Sequence, residues 1–127
     1  MLIGAGEAGS IILNEIKKST YVTKTIRCII DDDPAKKGTY LSGIPVVGNR
    51  NTILRNAVKF DVEEIILAIP TIEPKDRKDI LEICKQTGCR LSILPGLYQL
   101  INSEVTVSAL REVEIEDLLG REPVKAN

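Results

Sequence analysis

Residues Met1–Ser10 read MLIGAGEAGS, and this stretch decides the fold. Three apolar residues run into Gly4, Gly6 and Gly9 at the spacing G-x-G-x-x-G, and an amphipathic run follows at once. In a strand–loop–helix turn each glycine has a physical reason. Gly4 permits the tight turn, Gly6 lets the backbone approach a pyrophosphate with no Cβ between them, and Gly9 lets the helix pack close on the sheet. A helix starting near Glu7 would also offer free N–H groups and the positive end of its dipole to an anion. Two readings stand at this level: a phosphate cradle, or glycines that serve packing alone.

Working outward, Ala8, Ile11, Ile12 and Ile16 recur at helical spacing and predict a helix ending near Lys18. TIRCII (Thr25–Ile30) is rich in β-branched residues and stops at Asp31-Asp32-Asp33, so it reads as the second strand. Asp31–Gly43, with Pro34, Gly38 and Gly43, reads as a loop. A short strand at Ile44–Val47 and a helix carrying Ile53, Leu54, Ala57 and Val58 follow. Glu64–Ile69 is apolar on both faces, as a central parallel strand covered by helices should be, and Pro70 ends it. The next helix places Ile80, Ile83 and Cys84 on one face, with Gly88 at its C-cap, and Arg90–Leu94 is one more strand.

Strand–helix alternation implies parallel pairing through right-handed crossovers. The expected fold is α/β: an open, doubly wound parallel sheet of Rossmann-like type with a C-terminal extension. From Pro95 onward the alternation stops. Residues 1–108 are expected to form a nucleotide-binding domain, and residues 109–127 a linker that leaves the sheet. Val113, Ile115, Leu118 and Leu119, set among four acids, make that linker a candidate interface toward a further domain or a second copy of the chain.

Composition narrows the function classes. The 127 residues carry a formal net charge of −1, one Phe and three Tyr, which argues against a nucleic-acid partner. There is no His, so imidazole metal ligands and His-based triads are excluded. Cys28, Cys84 and Cys89 lack metal-site spacing and read as reduced, small hydrophobes, which suits a cytoplasmic setting. The longest apolar runs are too short to span a bilayer, so the chain is expected not to insert in a membrane itself.

The candidate cofactor-binding residues are Gly4, Ala5, Gly6, Glu7, Ala8 and Gly9 of the loop, with Asp31 and Asp32 at the end of the second strand. Asp31 lies 22 residues beyond Gly9, close to the spacing at which a carboxylate reaches a ribose hydroxyl. An acid there disfavours a 2′-phosphate and favours NAD over NADP. Glu7, by contrast, puts a carboxylate where it mildly opposes a phosphate. Ile69, Pro70 and Thr71 stand at the carboxyl end of a later strand, where doubly wound sheets bind ligands. Gly48-Asn49-Arg50 is a further β–α loop with a cation able to meet a phosphate, and Arg50 there reads as solvated in preference.

GAGEAG, IIDDDPAKKG with GIPVVG, ILAIPT and REVEIEDLLGREPV follow one another along the chain. This set resembles the amino-terminal Rossmann-like domain of bacterial membrane-associated nucleoside-diphosphate-sugar epimerases/dehydratases, the CapD-type polysaccharide-biosynthesis proteins. The resemblance covers essentially the whole chain. EIEDLLGREPV is its most specific element and in the family links this domain to a catalytic one; IDDDP…GIPVVG also resembles the sugar-nucleotide-binding module of sugar acyltransferases. It implies membrane helices upstream, a short-chain-dehydrogenase-like domain downstream, and a parent anchored at the inner face of the cell membrane. The family's catalytic Tyr/Met-x-x-x-Lys pair has no counterpart: Tyr21, Tyr40, Tyr98 and Met1 are followed four places on by Thr25, Ile44, Asn102 and Ala5. No catalytic residue carries over. The ligand expected is NAD or a UDP-sugar, with coenzyme A as an alternative for a sensing module.

Overall fold

The computed structural model describes residues 1–19, 24–94, 105 and 107–119. Tyr21, Tyr98 and the whole of GREPV (Gly120–Val124) lie outside the described residues. The elements run β1 (Leu2–Ile3), α1 (Glu7–Lys18), β2 (Ile29–Ile30), β3 (Tyr40–Leu41), β4 (Ile44–Gly48), α2 (Ile53–Lys59), β5 (Glu64–Leu67), α3 (Pro74–Thr87), β6 (Arg90–Ile93), β7 (Arg111–Val113) and α4 (Ile115–Leu118). Short 3-10 turns at Pro34–Lys36, Arg50–Thr52 and Val107–Ala109 connect them.

The sheet order is β3-β4-β2-β1-β5-β6-β7. Its five central strands are parallel, as expected, and the α/β Rossmann-like class holds. Leu2 pairs with Ile29 on one side and Ile66 on the other, which puts β1 at the centre. The chain winds outward from β1 through β2 to β4, then returns to the opposite side for β5 and β6. The order therefore reverses between β1 and β5, the switch point at which such sheets open a crevice.

Alternation along the strands sends residues to two cores. Leu2, Ile29, Ile66 and Ala68 meet Ile12, Leu13 and Ile16 of α1. Ile3, Ile30, Ile65 and Leu67 meet Ile53 and Ala57 of α2 and Ile80, Leu81 and Cys84 of α3. Each fully buried Ile or Leu contributes roughly 1.5–3 kcal/mol relative to an exposed one. Because both faces of β5 are covered, its pattern is continuous rather than alternating. Gly88 ends α3 at φ +73°, the left-handed cap expected of it.

Four expectations need correction. The two edge strands are antiparallel, so the sheet is mixed. Within the stretch read as loop, Tyr40–Leu41 turns back onto Ile44-Pro45 through Ser42 and Gly43, both at positive φ, a two-residue hairpin whose twist suits the strands it joins. On α2 the buried residues are Ile53, Asn56 and Ala57, whereas Leu54 and Val58 face outward. Asn56 is tolerated inside because its amide donates to the carbonyl and hydroxyl of Thr52.

The last correction concerns the extension, which does not leave the sheet within its described residues. Arg111–Val113 adds an antiparallel edge to β6, with Val113 opposite Leu91. Val113, Ile115, Leu118 and Leu119 pack on the α2/α3-side core. The apolar set is covered in part by the domain's own core, which removes the need for an outside partner to shield all of it.

Candidate functional site

At the switch point the glycine loop is fixed by backbone geometry. Gly4 has φ +114°, and a Cβ on it would stand 2.8 Å from Cγ1 of Ile69 and 2.9 Å from the carbonyl oxygen of Ala68. The loop after β1 thus presses directly on the end of β5. A Cβ on Gly9 would overlap the Gly4 carbonyl oxygen, so α1 sits as close to the loop as a glycine allows. At Gly6 a Cβ would meet nothing within 4 Å. That glycine is not needed for packing; it borders open space.

The open space is a cleft of about 840 Å³. Gly4, Gly6, Glu7 and Ala8 line one side, Asp31 and Asp32 a second, and Ile69, Pro70 and Thr71 the third. Nine of the eleven residues singled out in the sequence therefore border one cavity. The other two lie beneath it. Gly9 is buried under the loop, and Ala5 is half-buried with both its backbone groups engaged. Apolar side chains of Ile3, Ile11, Ile30, Ala68, Ile80 and Val105 complete the wall. Ile11 was expected in the core; α1 is rotated so that Leu13 takes that place and Ile11 meets the cleft.

The first turn of α1 carries N–H groups with no intrahelical acceptor; the first ladder bond is Ser10 N–H to the Gly6 carbonyl at 3.0 Å. The Gly6 N-cap has no side chain to satisfy them. With the dipole of a twelve-residue helix behind them, these donors form an anion-binding edge.

Asp31 braces the loop. Its Oδ2 accepts from the Ala5 N–H at 2.8 Å and its Oδ1 from the Asp33 N–H at 2.9 Å. Asp33 in turn accepts from the Ala35 N–H at 3.0 Å and so caps the 3-10 turn Pro34–Lys36. From that turn Lys36 reaches back, its Nζ donating to the Ala5 carbonyl at 3.3 Å.

Arg50 is not solvated: its side chain is 20 % exposed. Its Nε donates to Oδ2 of Asp32 at 2.8 Å and its backbone N–H to Oδ1 at 2.9 Å. Nη1 reaches Asp79 at 2.7 Å and Nη2 reaches Asp76 at 3.2 Å, both on α3. One guanidinium thus ties the β2 and β4 loops to the helix that follows β5, across the mouth of the crevice. Burial by itself would raise Asp32, but the Arg50 hydrogen bonds and charge outweigh it and hold the carboxyl below its ordinary range. Hydrogen bonds to Asp32 and Asp79 raise Arg50 in return. Three carboxylates against one cation leave the cluster at a formal charge of −2.

Sequence reasoning passed over Lys36, and it named Arg50 without placing it among the cofactor-binding residues. The signals were present: Asp33-Pro34 is a cap followed by a turn, which fixes Lys36, and Arg50 follows the carboxyl end of a parallel strand. Neither signal says where the long side chain ends.

Residues 1–95 match the family of CoA-binding domains. The chain belongs to the CoA-binding domain family. The chain is 35 % identical over 126 residues to the capsular polysaccharide biosynthesis protein CapD of Staphylococcus aureus. It is 30 % identical over 124 residues to the probable polysaccharide biosynthesis protein EpsC of Bacillus subtilis. Each match takes in 98 % of this chain and 21 % of the relative, so the chain spans about a fifth of these proteins' length. The likeness to polysaccharide-biosynthesis proteins drawn from the sequence motifs is therefore borne out.

Among solved structures, the UDP-D-quinovosamine 4-dehydrogenase from Vibrio fischeri superposes with a TM-score of 0.78 at 29 % identity, covering 94 % of this chain and 95 % of that one. The Rex-family repressor RSP shares the fold at 19 % identity and a TM-score of 0.63, over 83 % of this chain and 49 % of its own. A perosamine N-acetyltransferase from Caulobacter crescentus does so at 21 % and 0.54, over 71 % and 39 %. Among the described residues, no helix is long and apolar enough to cross a membrane and no cluster of His, Cys, Asp and Glu could hold a metal ion.

Proposed function

We propose that the cleft over Gly4–Gly9 binds the diphosphate of a nucleotide, and that the chain is the non-catalytic ligand-binding domain of a nucleoside-diphosphate-sugar epimerase or dehydratase of surface-polysaccharide synthesis. The observation that carries this reading is the open space at Gly6, set against the free N–H edge of α1 at the switch point of a CoA-binding-domain sheet. A diphosphate there accepts from the N–H groups of the first helical turn. Asp31 stands on the ribose side, and Ile69, Pro70 and Thr71 flank the far arm of the ligand. Coenzyme A, NAD and UDP-sugars share this diphosphate. The family match supports the first, and the polysaccharide-biosynthesis relatives support the last.

In this reading residues 1–108 bind the ligand and 109–127 lead toward a catalytic domain, with the parent protein at the inner face of the cell membrane. The test is calorimetric titration of the chain with coenzyme A, NAD and UDP-N-acetylglucosamine, repeated on Gly6→Val. At least one ligand should bind, and the variant should lose it while keeping its stability, because the added side chain enters the ligand's space and no protein atom's. Absence of binding by all three, or unchanged binding in Gly6→Val, overturns the proposal.

A further inference from the structure

We infer that Lys36 is the specificity-determining cation of the cleft, set to hold a phosphate carried on the ligand's adenosine ribose. This rests on the nucleotide reading above and narrows it from any diphosphate to the class with a ribose phosphate. Five charged residues line the cleft: Glu7, Asp31, Asp32, Lys36 and Arg50. Arg50 spends its guanidinium on Asp32, Asp76 and Asp79 and has little left for a ligand. Lys36 has no carboxylate partner among the described residues; its Nζ donates to the Ala5 carbonyl, and an ammonium has three donors. Half-buried beside acids yet paired with none of them, it is the cation of this lining that is left for an incoming anion.

Its placement is built rather than incidental. The Lys36 N–H donates to the Asp33 carbonyl at 3.0 Å, and the Lys36 carbonyl accepts from the Thr39 hydroxyl at 2.6 Å and the Thr39 N–H at 3.0 Å. The backbone is therefore held on both sides, and the side chain starts from a capped turn on the β2 flank. That flank is where Asp31 faces the ribose.

Asp31 supplies the second, independent argument. An NAD-type site needs a carboxylate to accept from both hydroxyls of a free ribose diol. Here each oxygen of Asp31 already accepts a backbone N–H, one of them from the glycine loop itself. Bracing the loop takes up two of its roughly four acceptor sites, while the Lys36 ammonium beside it keeps donors to spare after the Ala5 carbonyl. The acid at the end of β2 is therefore not the sole selector of the ribose, and the cation beside it favours a phosphate there. The phosphate can be the 3′-phosphate of coenzyme A or the 2′-phosphate of NADP; the recognising chemistry is the same.

The experiment compares coenzyme A with 3′-dephospho-coenzyme A, and NADP with NAD, by calorimetry on the 127-residue chain, Lys36→Ala and Lys36→Arg. The wild type should prefer the phosphorylated member of at least one pair by about tenfold or more, the scale of a charge-assisted hydrogen bond. Lys36→Ala should erase that preference, the ratio within each pair falling to about one whatever the absolute affinities, and Lys36→Arg should restore most of it. Which pair shows the preference names the source of the phosphate. Equal binding within both pairs overturns the inference and leaves the diphosphate site standing, and so does a preference that survives Lys36→Ala. Failure of all four nucleotides and of UDP-N-acetylglucosamine to bind removes the site itself, and this inference with it.

Discussion

Replacing Arg50 with Met tests whether one guanidinium holds the crevice together. The substitution keeps the aliphatic stem and removes four charged contacts: two to Asp32, one to Asp76 and one to Asp79. The side chain is 20 % exposed, so its pairing with Asp32 is shielded on one side, but Asp32 itself is 42 % exposed. Discounted for that solvent access, the two-point pair with Asp32 contributes about 1–2 kcal/mol. Asp76 and Asp79 are half-exposed, and each adds only about 0.3–0.5 kcal/mol. The variant should therefore lose about 2–3 kcal/mol near neutral pH, a fall of roughly 6–12 °C in Tm for a chain of this size.

The pH dependence carries the sharper test. In the wild type Asp32 binds its proton less readily folded than unfolded, because Arg50 overcomes the effect of burial. Its stabilising increment is complete above about pH 4 and is lost as pH falls through the lower folded value. Without the guanidinium, only the hydrogen bond from the backbone N–H of residue 50 still opposes burial and the neighbouring acids, so the variant loses most of this lowering and with it most of the pH-dependent increment. The gap between the two proteins should therefore narrow as pH falls from about 7 into the acid range below about pH 4. Glu64, whose burial is outweighed by Lys24 and Ser92, is lowered in both proteins and cancels in the comparison. Urea unfolding followed by far-ultraviolet circular dichroism reads the difference. A gap under roughly 0.5 kcal/mol near pH 7, or one that does not change with pH, would show that the cluster is a solvated ornament of the surface.

Three further outcomes follow from the same geometry. Gly9→Ala puts a Cβ on the Gly4 carbonyl oxygen and should cost at least about 1–3 kcal/mol in thermal unfolding, whereas Gly6→Ala, which meets nothing, should be near neutral; equal effects would refute the division of roles in the loop. Burial pushes the Cys84 thiol up to about 12 and raises Cys28, so a disulfide reagent near neutral pH should titrate the half-buried Cys89 first and reach all three only in denaturant; fast reaction at Cys84 would mean that α3 opens locally. Leu118→Ser with Leu119→Ser should destabilise the chain by about 1–3 kcal/mol and speed hydrogen exchange in Arg111–Val113, because both leucines pack on the α2/α3-side core; a variant as stable as the wild type would return the segment to the role of a loose linker.

The parallel core was legible in the sequence because its signals are local. Continuous β-branched runs, helical spacing and turn residues such as Pro70 and Gly88 act through neighbouring residues, and the apolar stretch Glu64–Leu67 reads as a strand covered on both faces. The same holds for the glycine loop, whose spacing marks where β1 ends and α1 begins. The tail's edge strand was illegible because three residues of strand have no period. Arg111–Val113 forms only because β6 presents an unpaired edge to it. Leu54 and Val58 read as core by spacing, yet the packing of α2 on α3 turned them outward and brought Asn56 in.

For the candidate site the division falls differently. Sequence alone named the residues that border the cleft, since they sit at strand ends that the topology must bring together. Only the tertiary structure decided what their charges do. Asp31 is committed to the backbone of the loop, Asp32 and Arg50 are committed to each other and to α3, and Lys36 is left facing the cleft. A long side chain's partner depends on where four separate segments meet within about 3 Å, and no spacing along one chain encodes that distance.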